Sequence, residues 1–184
     1  MPATLRTFVG LDLPDVHREA LAAHLAECAR LAPAFRWVEP DALHLTLRFL
    51  GQVEPDALDA VCDGLRAIRA APFRLALGEP GTFGPRRAPR VVWLGLAEGL
   101  DACAALAAAV ERTCQEAGLE AEPRGFRAHV TLARARSEGD RLGELPEPPR
   151  LAPWTVGDFV LFESRLRQQP RYVPLERYPL AVAG

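Results

Sequence analysis

Apolar residues recur along the chain in two periods, one typical of strands and one of helices. Strand-like alternation covers Thr7–Leu13, Phe35–Val38, Leu43–Leu50, Phe73–Gly78, Arg90–Leu96, His129–Ala135, Thr155–Ser164 and Arg171–Leu175. Helical patterns cover Pro14–Leu31, Pro55–Ala70 and Gly99–Ala117. The stretches Gly81–Pro89 and Ser137–Pro153 are rich in proline, glycine or charge and are predicted to be loops. This order of elements predicts an α+β fold.

The second half of the chain resembles the first at a separation of 85 residues. Three pairs of segments fall on each other under this shift: Thr7–Leu11 on Val92–Leu96, His44–Leu47 on His129–Leu132, and Phe73–Leu77 on Asp158–Phe162. Such repetition indicates a duplicated structural unit. We therefore expect a single domain, residues 1–184, built from two pseudo-symmetric halves at approximately 5–80 and 90–175, with a cleft between them.

The repeat contains two His-x-Thr units, His44 with Thr46 and His129 with Thr131. Side chains alternate across a strand, so the apolar neighbours of each unit should face the core while the imidazole and the hydroxyl face the other side. Two related halves would bring both units to one cleft. One imidazole can then accept a proton while the other donates one, and the hydroxyls can hold the oxygens of a phosphate diester.

Composition narrows the chemistry further. All 22 basic residues are arginine, which excludes a P-loop lysine, Schiff-base catalysis and a ligase that attaches a nucleotide to its own lysine. The net charge of −2 argues against a protein that coats nucleic acid non-specifically. Neither motif histidine has a metal ligand at helical spacing, so we expect neither a metal nor a cofactor.

The four cysteines and the other two histidines are predicted to have structural roles only. Cys28, Cys62, Cys103 and Cys114 all fall in predicted helices and form no Cys-x-x-Cys pair, so they are expected to be free thiols. His17 and His24 lie seven residues apart in a helix without a threonine partner, and are predicted to be surface or boundary residues. No apolar run approaches the roughly 20 residues of a membrane helix, and we expect a cytoplasmic protein without membrane contact.

Two stretches that contain these units resemble the signature motifs of the two-histidine (2H) phosphoesterases. They are Leu43–Gly51, reading LHLTLRFLG, and Phe126–Arg134, reading FRAHVTLAR. Within that superfamily the chain is most similar to the RNA 2′,3′-cyclic phosphodiesterases, also called 2′-5′ RNA ligases. The opening strand Arg6–Pro14, Trp37, the segment Arg90–Gly95 and the Tyr172-x-Pro-Leu-x-Arg177 pattern also fit. The chain departs from the family at Ala128, where proline is common.

The resemblance implies a bilobal α+β fold in which two antiparallel sheets form a central cleft with helices outside. It implies hydrolysis of an RNA terminal 2′,3′-cyclic phosphate to a 2′-phosphate, a step of RNA processing, and reversible ATP-independent 2′-5′ ligation. His44 would be the proton donor and His129 the proton acceptor, roles that the quasi-symmetric motifs alone do not distinguish. Arg134 matches a basic position near the phosphate, although strict alternation points it away from His129.

Several alternatives stay open from the sequence. The same chemistry would serve another small cyclic phosphate or a 2′-5′ oligonucleotide, and a non-catalytic module that binds RNA ends would keep the same fold. Arg86, Arg87 and Arg90 in the first loop are candidate contacts for RNA phosphates. The expected partner is RNA with 2′,3′-cyclic phosphate ends, tRNA fragments among them, and the expected state is a monomer.

Overall fold

The computed structural model describes residues 4–165, 168 and 171–181, which form nine strands and three α-helices. The strands are β1 (Leu5–Asp12), β2 (Phe35–Trp37), β3 (His44–Val53), β4 (Phe73–Phe83), β5 (Val91–Glu98), β6 (Val130–Ala135), β7 (Trp154–Val156), β8 (Asp158–Ser164) and β9 (Tyr172–Pro179). The helices are α1 (Asp15–Leu31), α2 (Pro55–Ala67) and α3 (Leu100–Glu116), and a short 3₁₀ helix spans Pro40–Ala42. The predicted α+β class is confirmed.

Two antiparallel groups of strands meet at the centre of the sheet, in the order β7-β4-β5-β6 and β3-β1-β8-β9. We call them the β5 wing and the β1 wing. A single residue pair, Leu45 with Val130, joins β3 to β6. Further along β6, the same edge pairs with β2 through Phe35–Trp37. Because β3 leaves β6 at this point, the two wings separate and leave a cleft.

Each wing includes strands from both halves of the sequence. β4 pairs with β5, and β8 pairs with β1. Outward from the central pair, the strands follow as β3, β1, β8 and β9 on one side and as β6, β5, β4 and β7 on the other. The description of the chain as two pseudo-symmetric halves, approximately 5–80 and 90–175, stays a prediction.

The core lies between the helices and the sheet. The helices contribute mainly leucine, valine and cysteine side chains: Leu21, Leu25 and Cys28 from α1, Leu58, Val61 and Leu65 from α2, and Cys103, Leu106, Val110 and Cys114 from α3. The four cysteines are free thiols in helices, as predicted. Burial raises the pKa of the Cys103 thiol to about 12, which makes it a poor nucleophile. Across the described residues, no helix has the length and apolar character that a membrane crossing requires.

Several predicted boundaries were wrong. β4 continues through Gly81–Phe83, at the start of a predicted loop. Its pairing with β5 is irregular just before Pro80, a residue that cannot donate a backbone hydrogen bond to a neighbouring strand. The single strand predicted at Thr155–Ser164 is divided at Gly157. The part before Gly157 pairs with β4 and the part after it with β1, so the chain crosses here from one wing to the other.

Candidate active site

A cleft with a volume of about 680 Å³ lies between the wings. His44 and Thr46 line it from β3, while His129 and Thr131 line it from the start of β6. Arg134 lies on the same wall, so all five predicted side chains come together in one place. On the opposite face of β3, Leu43, Leu45 and Leu47 are 1%, 1% and 6% exposed, which confirms the predicted alternation.

A backbone hydrogen bond fixes the orientation of His44. The residue begins β3 one residue after the end of the 3₁₀ helix, and its Nδ1 lies 2.8 Å from the carbonyl oxygen of Ala42. Since a carbonyl only accepts, Nδ1 carries the proton in the neutral ring. Nε2 is then the basic nitrogen, and it lies 3.1 Å from the hydroxyl of Thr46, which donates to it.

His129 is held in the same way. It immediately precedes β6, and its Nδ1 donates to the carbonyl oxygen of Arg127 across 2.7 Å. The same tautomer follows, with Nε2 as the free basic nitrogen. Both motifs thus leave Nε2 available for proton transfer.

Burial keeps the ring of His44 neutral. It packs against Phe8 and Tyr172, with ring centroids 4.7 and 4.8 Å away. Desolvation in this aromatic surrounding lowers the pKa of His44 to about 4, against the raising effects of the Ala42 carbonyl and Asp12. The free protein therefore holds this imidazole uncharged at neutral pH.

His129 has a related but different surrounding. Its ring lies 5.0 Å from that of Phe83, edge to face, and 6.3 Å from that of Trp93. Desolvation also lowers the pKa of His129, and the charges of Arg134 and Arg127 lower it further although the Arg127 carbonyl raises it. Both imidazoles are bases in the free protein.

The cleft is strongly positive in a chain of net charge −2. Six arginines line it: Arg6, Arg36, Arg124, Arg134, Arg136 and Arg171. Glu39 is the one acidic side chain among the lining residues that the structure describes. Of the six, Arg124 is paired with Glu122 at 3.0 Å. Such a concentration of guanidinium groups suits an anionic ligand.

A β-bulge explains why Arg134 reaches the cleft. β5 pairs Val92 with Ala133 but Trp93 with Thr131, so β6 contains one extra residue, Leu132. Leu132 and Ala133 are both buried, at 2% and 0% exposure, and the alternation is shifted by one position. Strict alternation had pointed Arg134 away from His129, and the bulge turns it to the same side.

The same irregularity occurs in the first motif. Val9 pairs with Arg48 but Gly10 pairs with Thr46, so Leu47 is the extra residue. Arg48 is therefore buried toward α3, where it forms an ion pair with Glu111. Phe49, 43% exposed, faces the cleft instead.

Sequence reasoning missed the aromatic walls and five of the six arginines. Phe8, Trp37, Phe49 and Tyr172 line the cleft beside Arg6, Arg36, Arg124, Arg136 and Arg171. Alternation along the first strand would have placed Arg6 and Phe8 on one face, away from the buried Val9. The other positions depend on bulges and strand pairing, which leave no local signal.

Other candidate residues lie elsewhere. Arg86, Arg87 and Arg90 are not among the residues that line the cleft, and Arg90 is paired with Glu138 at 2.6 Å. His17 was wrongly predicted to be a surface or boundary residue: it is 4% exposed. Its Nε2 lies 2.8 Å from the Ala152 carbonyl, because the irregular segment before β7 covers α1 at this point.

No group of three or more histidine, cysteine, aspartate or glutamate side chains within residues 4–165, 168 and 171–181 is arranged to hold a metal ion. The two imidazoles are instead surrounded by aromatic rings and guanidinium groups. That neither metal nor cofactor takes part stays a prediction.

Comparison with known proteins gives consistent similarities. The family described as LigT like phosphoesterase matches the chain over residues 11–93 and again over 94–172. An RNA 2′,3′-cyclic phosphodiesterase of Escherichia coli is 33% identical over 95% of the chain and 96% of its own length. One from Geobacillus stearothermophilus is 31% identical over 94% of the chain, which spans 56% of that protein. The crystal structure of E. coli LigT complexed with 3′-AMP has a TM-score of 0.83 at 31% identity, covering 96% of this chain and 98% of that one.

Proposed function

The chain belongs to the LigT-like phosphoesterase family, and on that premise we propose that it is an RNA 2′,3′-cyclic phosphodiesterase that leaves a 2′-phosphate. The observation that carries this proposal is the convergence of two His-x-Thr units on one arginine-lined cleft. In each unit the histidine, His44 or His129, has its Nδ1 bound to a backbone carbonyl, which leaves Nε2 as the basic nitrogen.

The reaction needs one base and one acid. Nε2 of His129 takes a proton from water as the water oxygen attacks phosphorus. Nε2 of His44, in its protonated form, gives a proton to the 3′-oxygen as the bond from phosphorus to that oxygen breaks. The phosphorus stays on the 2′-oxygen, and the two imidazoles end with their protonation states exchanged.

His44 must first acquire a proton, which its aromatic surrounding disfavours in the free protein. The negative charge of a bound cyclic phosphate favours the imidazolium, because opposite charges in a desolvated site attract strongly. Substrate binding thus favours protonation of His44, which the proposed reaction requires.

The remaining predicted residues stabilise the developing charge. The hydroxyls of Thr46 and Thr131 donate to the non-bridging oxygens, while the guanidinium of Arg134 supplies a fixed positive charge on the same wall. Proton transfer and charge stabilisation come entirely from side chains, so the reaction requires no metal. The reverse reaction would join a 5′-hydroxyl end to the cyclic phosphate without ATP.

The physiological substrate is RNA carrying a 2′,3′-cyclic phosphate end, tRNA fragments among them, handled by a monomeric cytoplasmic enzyme. The arginine-lined cleft favours RNA over an uncharged ligand. Another small cyclic phosphate, a 2′-5′ oligonucleotide, and a non-catalytic RNA-end binder are the alternatives, and substrate profiling separates them.

The test is a product analysis in excess chelator. A short RNA ending in a 2′,3′-cyclic phosphate is incubated with the wild-type protein, with His44→Ala and with His129→Ala. His24→Ala is the matched control, because it removes a half-buried imidazole from α1, outside the cleft. A 2′-phosphate product that both motif variants lose by about 10²-fold or more supports the proposal.

Other outcomes separate the alternatives. A 3′-phosphate product would still be consistent with catalysis by the two histidines, but the bond broken would be the one from phosphorus to the 2′-oxygen. Turnover that survives both motif substitutions would contradict the two-histidine mechanism. Binding of the RNA without turnover in the wild type would contradict the proposal and favour the binding module.

A further inference from the structure

Arg36 is exposed on β2 and lines the same cleft as the motif residues. In the ladder between β2 and β6 it lies directly opposite Arg134. Side chains of directly opposed residues point to the same face, with Cβ atoms roughly 5 Å apart. Two guanidinium groups therefore stand side by side on one wall of the cleft.

This arrangement is unfavourable without an anion. Like charges directly opposite each other destabilise a strand pair, and no acidic side chain in the described part of the chain forms an ion pair with Arg36 or Arg134. Acidic partners do neutralise some exposed arginines elsewhere in the protein, as Glu176 does for Arg66 and Glu138 for Arg90. A pair of this kind in a cleft is typical of a site that binds phosphate groups.

The two arginines differ in how near they lie to the two motif histidines. Arg134 is close enough to both imidazoles for its charge to lower the pKa of each. Arg36 lies one strand further out, on the side of β6 away from β5. A phosphate held between the motifs would therefore engage Arg134, which leaves Arg36 for a second anion next to it.

RNA supplies that second anion in one place. A terminal nucleotide with a 2′,3′-cyclic phosphate carries its next negative charge on its 5′-oxygen, as the phosphodiester to the preceding nucleotide. On the basis of the proposed function, we infer that Arg36 is a specificity-determining residue that binds this 5′-phosphate and so favours an RNA chain over an isolated nucleoside cyclic phosphate.

The test compares three substrates that differ only at the 5′-oxygen: adenosine 2′,3′-cyclic phosphate, the same compound with a 5′-phosphate, and the dinucleotide ApA ending in a 2′,3′-cyclic phosphate. The proteins are the wild type, Arg36→Gln and Arg86→Gln. Arg86 is the matched control, because it is exposed but does not line the cleft. Thermal unfolding of each variant establishes that folding is unchanged.

We expect Arg36→Gln to lower kcat/KM about tenfold for the two substrates with a 5′-phosphate, as for the loss of one charge-assisted contact. The effect should fall mainly on KM, because the 5′-phosphate binds equally in ground and transition state. Turnover of adenosine 2′,3′-cyclic phosphate should be unchanged, and Arg86→Gln should leave all three substrates unaffected.

The inference fails if Arg36→Gln lowers kcat/KM equally for all three substrates, which would make Arg36 part of the site for the reacting phosphate. It also fails if none of the three changes. Absence of turnover by the wild-type protein on every substrate is a different result, because it would overturn the proposed function itself.

Discussion

Replacing His44 by glutamine should make the stability of the protein less sensitive to acid. In the folded state, burial lowers the pKa of this imidazole from 6.5 to about 4. The unfolded chain therefore binds a proton at a higher pH than the folded protein does. The contribution of His44 is fully present above pH 6.5 and is lost as the pH falls toward 4.

The size of the effect follows from the two pKa values. Each unit of difference corresponds to about 1.36 kcal/mol, so the wild type should lose about 3 kcal/mol of unfolding free energy through this one group between pH 7 and pH 4. The His44→Gln variant has no group there to titrate. Many other groups titrate over this range in both proteins. Their contributions cancel when the unfolding free energy of one protein is subtracted from that of the other.

The measurement is denaturant-induced unfolding of both proteins at pH 7, 6, 5 and 4. The difference in unfolding free energy should shift by about 3 kcal/mol in favour of the variant as the pH falls. Thr46→Val is the control, because it removes the hydroxyl 3.1 Å from Nε2 but leaves the imidazole in place. A difference between wild type and His44→Gln that stays constant with pH would refute the reasoning.

The remaining predictions concern activity and packing. Because burial lowers the pKa of His44 and of His129, the proposed acid and base, the rise and the fall of kcat/KM with pH should both have midpoints below pH 6.5. A maximum above pH 7 would contradict this. Arg48→Met removes the ionic partner of Glu111, which keeps its hydrogen bonds with Gln115 and the Glu122 amide, and should cost about 1–3 kcal/mol in denaturant unfolding. Adding Glu111→Leu should recover part of the loss, and no recovery would argue against the ion pair. Gly10→Ala should cost about 1–3 kcal/mol in the same assay, because the added Cβ would lie 2.8 Å from the Leu45 carbonyl oxygen; an unchanged stability would show that the strands can move apart.

The motif residues could be predicted because their signal is local. Alternation along a strand is a property of consecutive residues, and it correctly separated Leu43, Leu45 and Leu47 from His44 and Thr46. The helices that contain the cysteines and the α+β class follow from periodicities of the same kind. Each of these predictions needs only a short stretch of sequence.

Strand pairing could not be predicted in this way. The sequence indicates that Phe73–Gly78 and the region after Thr155 are extended, but not which strands they join. In the structure β4 pairs with β5 and β8 with β1, so each wing combines both halves of the sequence. Gly157, where the chain changes wings, occurs inside an otherwise continuous strand pattern. Pairing is decided by contacts between distant residues, which one sequence does not reveal.

The bulges show how two similar motifs come to have different surroundings. The extra residues, Leu47 and Leu132, lie 85 residues apart, the same separation as His44 and His129. Each bulge turns the residue two positions later into the cleft, and that residue is aromatic in one motif and cationic in the other.

Phe49 therefore faces the cleft from the β1 wing, where it lies 5.9 Å from Phe8 in the aromatic surrounding of His44. Arg134 faces it from the β5 wing and acts electrostatically on both imidazoles. A base and an acid must differ in their affinity for a proton, and two identical His-x-Thr units on equivalent strands would not. The asymmetry that the two proposed roles require therefore has to come from the residues around the motifs, and these two positions are one place where the wings differ.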